Sequence, residues 1–124
     1  MQKRILLVDD SAPTRGLVRA FLESRQGWKV CGEAADGFEG VQKVLELNPD
    51  VIILDFSMPR INGLQAALVL HEMVPDTPII LFTIYKDGVV GRLARNAGIA
   101  SVVSKSDQLT MLADEVQRLT LSPN

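Results

Sequence analysis

The sequence predicts an α/β protein built as a doubly wound, five-stranded parallel sheet with helices on both faces. Three observations predict it. Five short apolar runs recur, at residues 4–8, 28–33, 51–54, 79–83 and 100–103. Most are nearly continuous in Ile, Leu and Val, which is the pattern of strands covered on both faces rather than one. Segments with helical apolar spacing separate them, and such alternation with short links closes into a parallel sheet through right-handed crossovers.

After the first strand, Leu17, Val18, Phe21 and Leu22 recur at helical spacing. Pro13 suits the first turn of that helix, where a missing N–H costs nothing. The second helix carries Phe38, Val41, Val44 and Leu45 and stops at Asn48-Pro49, because a residue before proline is steered out of the helical region. Leu64, Ala67 and Leu68 open a third helix, with Asn62 as its cap and Pro75 and Pro78 beyond its end. Residues 87–96 read as a weaker helix, since Gly88 and Gly91 each cost about 1 kcal/mol relative to alanine. Leu109, Leu112, Ala113, Val116 and Leu119 give the last helix a clear apolar face, with Ser106 or Asp107 as the expected cap. The expected domain runs over residues 1–120, and residues 121–124 form a tail suited to the start of a linker.

A chain of 124 residues fits one domain with one sheet. Its 47% apolar and 23% charged residues are ordinary globular values, which argues against disorder. The 13 Lys and Arg do not outnumber the 15 Asp and Glu, so no positive field is expected to draw nucleic acid directly. Cys31, the single cysteine, excludes an internal disulfide. With no leader-like segment or long apolar span in sight, a cytoplasmic location without membrane association is expected.

In doubly wound sheets, ligands bind at the carboxyl ends of the strands. Here the first strand ends in Asp9 and Asp10, the third in Asp55, the fourth in Thr83, and the fifth in Ser104 and Lys105. Taken singly, each has a plain structural reading: an acidic pair caps a helix, threonine suits a strand, and a lysine is solvated. Together they would converge three carboxylates, a hydroxyl and an ammonium. Two like charges about 4 Å apart repel by roughly 4 kcal/mol at an effective dielectric of 20, so the cluster calls for a counter-cation or protons. Oxygen ligands without histidine or thiolate favour magnesium, or manganese, over zinc. Phosphate chemistry then follows: Lys105 offers a point charge, Thr83 a hydrogen bond, and a carboxylate can attack a phosphodonor with no dedicated base.

Asp9-Asp10, Asp55 followed by Met58-Pro59 and Gly63, then Thr83 and Lys105, resemble the response-regulator receiver domains of bacterial two-component systems over nearly the whole chain. The resemblance implies strand order 2-1-3-4-5 and a phosphoacceptor role for Asp55. It also implies that Asp10, the Asp55 carboxylate and the Ser57 backbone carbonyl ligate magnesium, that Asp9 holds metal-bound water, and that Thr83 and Lys105 contact the phosphoryl group. The implied donor is a phosphohistidine on a sensor histidine kinase or histidine phosphotransfer protein, with small acyl phosphates as substitutes. Such a domain is not an enzyme beyond its own phosphorylation and dephosphorylation.

Three positions, Val102, Ile84 and Ser106, depart from the family pattern, and Tyr85 occupies a variable one. Val102 stands where an aromatic residue usually reports phosphorylation, so output is expected to use backbone shifts. Ile84 replaces a small residue, and its bulk would narrow access to the phosphoryl site. Tyr85 lies where receivers vary in self-dephosphorylation. Ser106 replaces a proline that often follows the lysine, and a cis peptide at a non-proline bond costs about 2.5 to 4 kcal/mol, which puts the usual cis geometry in question. The Lys105-Ser106-Asp107 stretch is similar to receivers attached to helix-turn-helix transcription regulators. Phosphorylation is expected to reorganise the weak fourth helix and the fifth strand, altering a homodimer or partner surface.

Three other readings compete. An aspartate-nucleophile phosphohydrolase needs a second acid two residues after Asp55, where this chain has Ser57. A flavodoxin-like cofactor module needs hydroxyls and glycines where Asp9-Asp10 would repel phosphate. A receiver-fold binding module that works without phosphorylation is the closest rival. Elsewhere, Met58-Pro59 shapes a loop, Gly63 allows close approach, Cys31 reads as a small buried residue, His71 as surface, and Trp28 as cover for a sheet edge.

Overall fold

The computed structural model describes residues 2–58, 61–84 and 87–121. Along the chain run β1 (Lys3–Val8), α1 (Ala12–Glu23), β2 (Trp28–Ala34), α2 (Gly37–Leu47), β3 (Val51–Leu54), α3 (Gly63–Met73), β4 (Ile79–Thr83), α4 (Gly88–Asn96), β5 (Ser101–Ser104) and α5 (Leu109–Leu119). All strand pairs are parallel, in the order β2-β1-β3-β4-β5. This is the order the resemblance implies.

Strand alternation divides the core in two. Leu6, Val8, Ile52, Leu54, Ile79 and Leu81 face α2, α3 and α4, where they meet Val44, Ala66, Leu70, Val90 and Ala94. Ile5, Leu7, Val51, Ile53, Ile80 and Phe82 face α1 and α5, against Val18, Leu22, Leu112 and Val116. Because both faces are covered, the central strands carry continuous buried apolar runs, at residues 5–8, 51–54 and 79–82, and each fully buried Ile or Leu contributes about 1.5 to 3 kcal/mol.

The helices begin and end for local reasons. Ser11 caps α1, accepting from the Thr14 N–H, and Pro13 sits in the first turn. Asp36 caps α2, which ends on Asn48 in the left-handed region at φ 48. The chain thus leaves α2 through a conformation asparagine tolerates, rather than through the extended one usual before proline. Asn62 and Gln65 form a reciprocal capping box on α3. Asp87 caps α4 by accepting from the Val90 N–H at 2.8 Å.

The last helix differs from expectation. Gln108 occupies the cap of α5 without a side-chain hydrogen bond. Ser106 and Asp107 turn back instead: Asp107 accepts from the Ser104 N–H at 3.3 Å, and the Ser104 and Ser106 hydroxyls lie 2.7 Å apart. The hydroxyls and carboxylate close the turn after β5, and the cap position falls to Gln108. The fifth strand is also displaced by one residue, to Ser101–Ser104, although the Ala100 N–H already donates to the Ile79 carbonyl at 2.9 Å.

The apolar stripes are narrower than their spacing predicts. Leu17, Phe38, Leu45 and Leu68 are exposed, since a helix lying on one face of a sheet buries only part of its circumference. Trp28 does lie on the edge strand β2, half-buried, with the Lys3 ammonium 4.8 Å and the Arg25 guanidinium 5.1 Å from its ring centre. Cys31 is the extra residue of a register shift in β2, half-buried, and burial pushes its thiol up, away from the reactive thiolate. His71 is exposed on α3, with its ring against Gly98. Leu121 is exposed, and the remainder of the expected tail lies outside the described residues.

Candidate phosphoryl and metal site

Register brings the candidate residues to one end of the sheet. Val8 pairs with Leu54, so Asp9 and Asp55 follow one residue later on adjacent strands, and the Asp55 N–H donates to the Val8 carbonyl at 2.9 Å. Thr83 pairs with Ser104, and the Lys105 N–H donates to the Thr83 carbonyl at 2.9 Å. Asp9, Asp55 and Thr83 are buried and Asp10 is exposed.

The charges converge. Ligand oxygens of Asp9, Asp10 and Asp55 all lie within 4.8 Å of one another. The Lys105 ammonium sits 2.8 Å from Asp9 Oδ2 and 3.4 Å from Asp55 Oδ2. Burial pushes the Asp55 carboxyl up, and the neighbouring Asp9 pushes it further, against the opposing pull of Lys105 and a hydrogen bond from the Ser57 N–H. For Lys105 burial acts downward, but the hydrogen bond to Asp9 and the charge of Asp55 outweigh it, and its pKa is raised. The ammonium therefore stays charged.

One lysine against three carboxylates leaves two negative charges unbalanced. The donor atoms are all oxygens, and among the described residues no histidine or thiolate joins them. This set fits a hard divalent cation by charge and by donor chemistry. Ser57 is exposed beside Asp55, and its N–H faces the carboxylate.

The loop after β3 is held close beneath the site. A Cβ at Gly63 would lie 2.1 Å from the Asp55 carbonyl oxygen and 2.8 Å from the Phe56 Cα, so no other residue fits without moving the loop. The Gly63 N–H donates to the Phe56 carbonyl at 2.7 Å. Met58 packs on the core, as a loop-shaping residue should, whereas Pro59 lies outside the described residues.

Three of the positions set apart in the sequence can be placed. Val102 is half-buried against the core on the α4 face, and Ile84 is 66% exposed. The Lys105–Ser106 bond is trans, since no cis peptide occurs among the described residues. Tyr85 lies outside them.

Sequence reasoning missed two groups. The Phe82 ring lies under the Lys105 ammonium, 5.9 Å from its centre, and an aromatic residue before Thr83 carried no signal by itself. Arg15 donates to the Asp9 main-chain carbonyl and binds Glu33 at 2.9 Å. A basic residue in the first turns after an acidic strand end, with an acid at the end of the neighbouring strand, was the available clue.

A 2-1-3-4-5 parallel sheet with an acidic, lysine-bridged cluster at its carboxyl end defines the flavodoxin-like receiver class. A family model described as the response regulator receiver domain matches residues 5–117. The chemotaxis protein CheY of Thermotoga maritima is 30% identical over 97% of this chain and 99% of its own length. The transcriptional regulatory protein LiaR of Bacillus subtilis is 35% identical over 92% of this chain and 54% of its own length. The crystal structure of the response regulator domain of Thermotoga maritima CheB superposes with a TM-score of 0.90 at 29% identity, covering 99% of this chain and 100% of that one. The chain belongs to the response regulator receiver domain family, the receivers of two-component systems. It spans only about a quarter to a half of the length of several curated relatives. No helix among the described residues is long and apolar enough to cross a membrane.

Proposed function

We propose that this chain is a phosphorylation-dependent switch in which Asp55 accepts the phosphoryl group. The observation that carries the reading is the Lys105 ammonium bridging Asp9 and Asp55, 2.8 and 3.4 Å away, beside an acidic cluster suited to a divalent cation. Asp10, Asp55 and the Ser57 carbonyl would hold magnesium, with Asp9 next to them. Magnesium, when bound, supplies the positive charge that offsets the cluster and the oxygens of the transferring group.

Asp55 attacks as a carboxylate, so it needs no base. A new P–O bond forms to the Asp55 oxygen, the P–N bond of a phosphohistidine breaks, and the imidazole of a sensor kinase or phosphotransfer protein leaves. Lys105, kept charged by Asp9 and Asp55, meets the negative oxygens of the phosphoryl group. Thr83 stands at the adjacent strand end to bond one of them through its hydroxyl. Half-buried Val102 has no ring to swing outward, so output runs through shifts of α4 and β5, and the exposed Ile84 side chain slows entry to the site. Similarity to a chemotaxis protein and to a transcriptional regulator supports either kind of output, with this chain as the receiver in both.

Intact mass after incubation with acetyl phosphate and magnesium tests the reading. Wild type is expected to gain one phosphoryl group and Asp55→Asn none. No gain in wild type, with a cognate kinase also failing to transfer, would favour a phosphorylation-independent binding module, the alternative that Val102 and Ile84 suggest.

A further inference from the structure

The acidic cluster rests on a support outside it. Asp10 is exposed, and among the described residues its carboxylate has no hydrogen-bond or ion-pair partner. Its place is therefore set by the backbone on either side, and Asp9 is the anchored neighbour. The Asp9 N–H donates to the Ala34 carbonyl at 3.0 Å, Asp9 Oδ1 accepts from the Ser11 N–H at 2.9 Å, and the Asp9 carbonyl accepts from Arg15 Nη1. Arg15 is itself fixed. Its Nε lies 2.9 Å from Glu33 Oε1, and the other Glu33 oxygen takes Arg19 at 2.6 Å. The Arg15 side chain is only 17% exposed and lines one small cavity with Asp9, Asp55 and Phe82.

From this geometry we infer that Arg15, braced by Glu33, is a positioning residue that sets the divalent-cation affinity of the site by holding the Asp9-Asp10 backbone in place. The inference rests on the reading of Asp10 and Asp55 as metal ligands. A planar guanidinium can serve the Glu33 carboxylate and the Asp9 carbonyl together, whereas an ammonium on a flexible stem holds that pair poorly. Groups that orient metal ligands without touching the metal typically change affinity about 10- to 100-fold when removed.

The sign of the effect separates positioning from charge. As a bare positive charge near a cation site, Arg15 would weaken magnesium binding, and its removal would tighten it. As a clamp, its removal must loosen binding, and Arg15→Lys must loosen it as well although the charge is kept.

Magnesium affinity is measured by titration calorimetry on wild type, Arg15→Gln, Arg15→Lys, Glu33→Gln and the control Asp10→Asn, with melting curves in the absence of metal to confirm folding. The expected result is about tenfold weaker binding in Arg15→Gln, with weaker binding also in Arg15→Lys and Glu33→Gln. In parallel, the magnesium concentration that half-saturates phosphorylation by acetyl phosphate should rise, while the rate at saturating magnesium stays within about twofold. Equal or tighter binding in Arg15→Gln, or wild-type affinity in Arg15→Lys, overturns the inference and leaves the metal site standing. Should Arg15→Gln fail to fold, Arg15→Lys decides alone. A wild type that binds no magnesium, or binds it no better than Asp10→Asn, overturns the site reading and this inference with it.

Discussion

The two halves of the sheet's carboxyl end are built differently. On the β1 and β3 side, Asp9 is tied by four contacts, from Ala34, Ser11, Arg15 and Lys105, and the loop after β3 is pressed against Gly63. On the β4 side, α4 carries two glycines, buries only Val90 and Ala94, and leaves Val89 and Leu93 exposed with Ile84 before them. The difference teaches where each task can sit. Groups that take part in phosphoryl chemistry must be held in place, whereas a segment that reports the event must have a second arrangement within a few kcal/mol.

The harshest way to break the comparison is Gly63→Ala. Its Cβ would run into the Asp55 carbonyl, and the loss of stability in urea melts should reach about 3 kcal/mol, the upper end of ordinary overpacking. An equally large cost for alanine at Gly91, where a Cβ meets nothing within 4 Å, would erase the distinction between the halves.

Asp55→Asn should act on stability in the opposite direction. Burial and Asp9 raise the Asp55 carboxyl in the folded state, so ionising it costs stability as pH rises through that raised value. At neutral pH in a chelator, the asparagine variant should melt higher than wild type, and its advantage should shrink on acidification through the Asp55 titration and on adding magnesium. A lower melting temperature in chelator would mean that the cluster is not under repulsion.

Stiffening the other half is a smaller change. Gly91→Ala should stabilise the protein by about 1 kcal/mol, and amide exchange in α4 should slow. If α4 is the reporting segment, the exchange difference between phosphorylated and free protein should also diminish in this variant. An unaltered difference would place the response elsewhere.

The smallest expected effect concerns the brace at the rigid side. Burial pushes the Glu33 carboxyl up, but hydrogen bonds from Arg19 and Arg15 outweigh it and hold the group below the ordinary glutamate range. A lowered carboxylate adds stability that is present above its unfolded titration and lost as pH falls through the folded one. The advantage of wild type over Glu33→Gln should therefore vanish in acid, and because the pair is partly exposed it should stay under about 1 kcal/mol at neutral pH. Chemical denaturation at the two pH values gives the comparison.

Much of this was legible in the chain itself. The continuous apolar strands, the helical spacing between them and the cap at Asn62 are local properties, written in residues that lie next to one another. The candidate site residues were also legible, because sheets of this class present their strand ends together, so Asp9, Asp10, Asp55, Thr83 and Lys105 could be named one strand at a time. Local signals failed where two segments competed for the same group. Ser106 and Asp107 could cap α5 or close the turn after β5, and only the folded chain shows that the turn wins. Leu17, Phe38, Leu45 and Leu68 have core spacing, yet packing on a single face of the sheet decides how much of each helix is covered.

The sequence by itself therefore determined the order of elements and the chemistry available at the strand ends, since both depend on residue type and short-range period. Tertiary structure decided the rest: which carboxylate the lysine bridges, that Phe82 lies beneath it, and that an arginine on α1 joins Glu33 of β2 to the carbonyl of Asp9. Apart from the Arg15 bond to the Asp9 carbonyl, six positions back, those contacts link residues 18 to 96 positions apart, and distance in the chain carries no information about them until register and helix packing bring the atoms together.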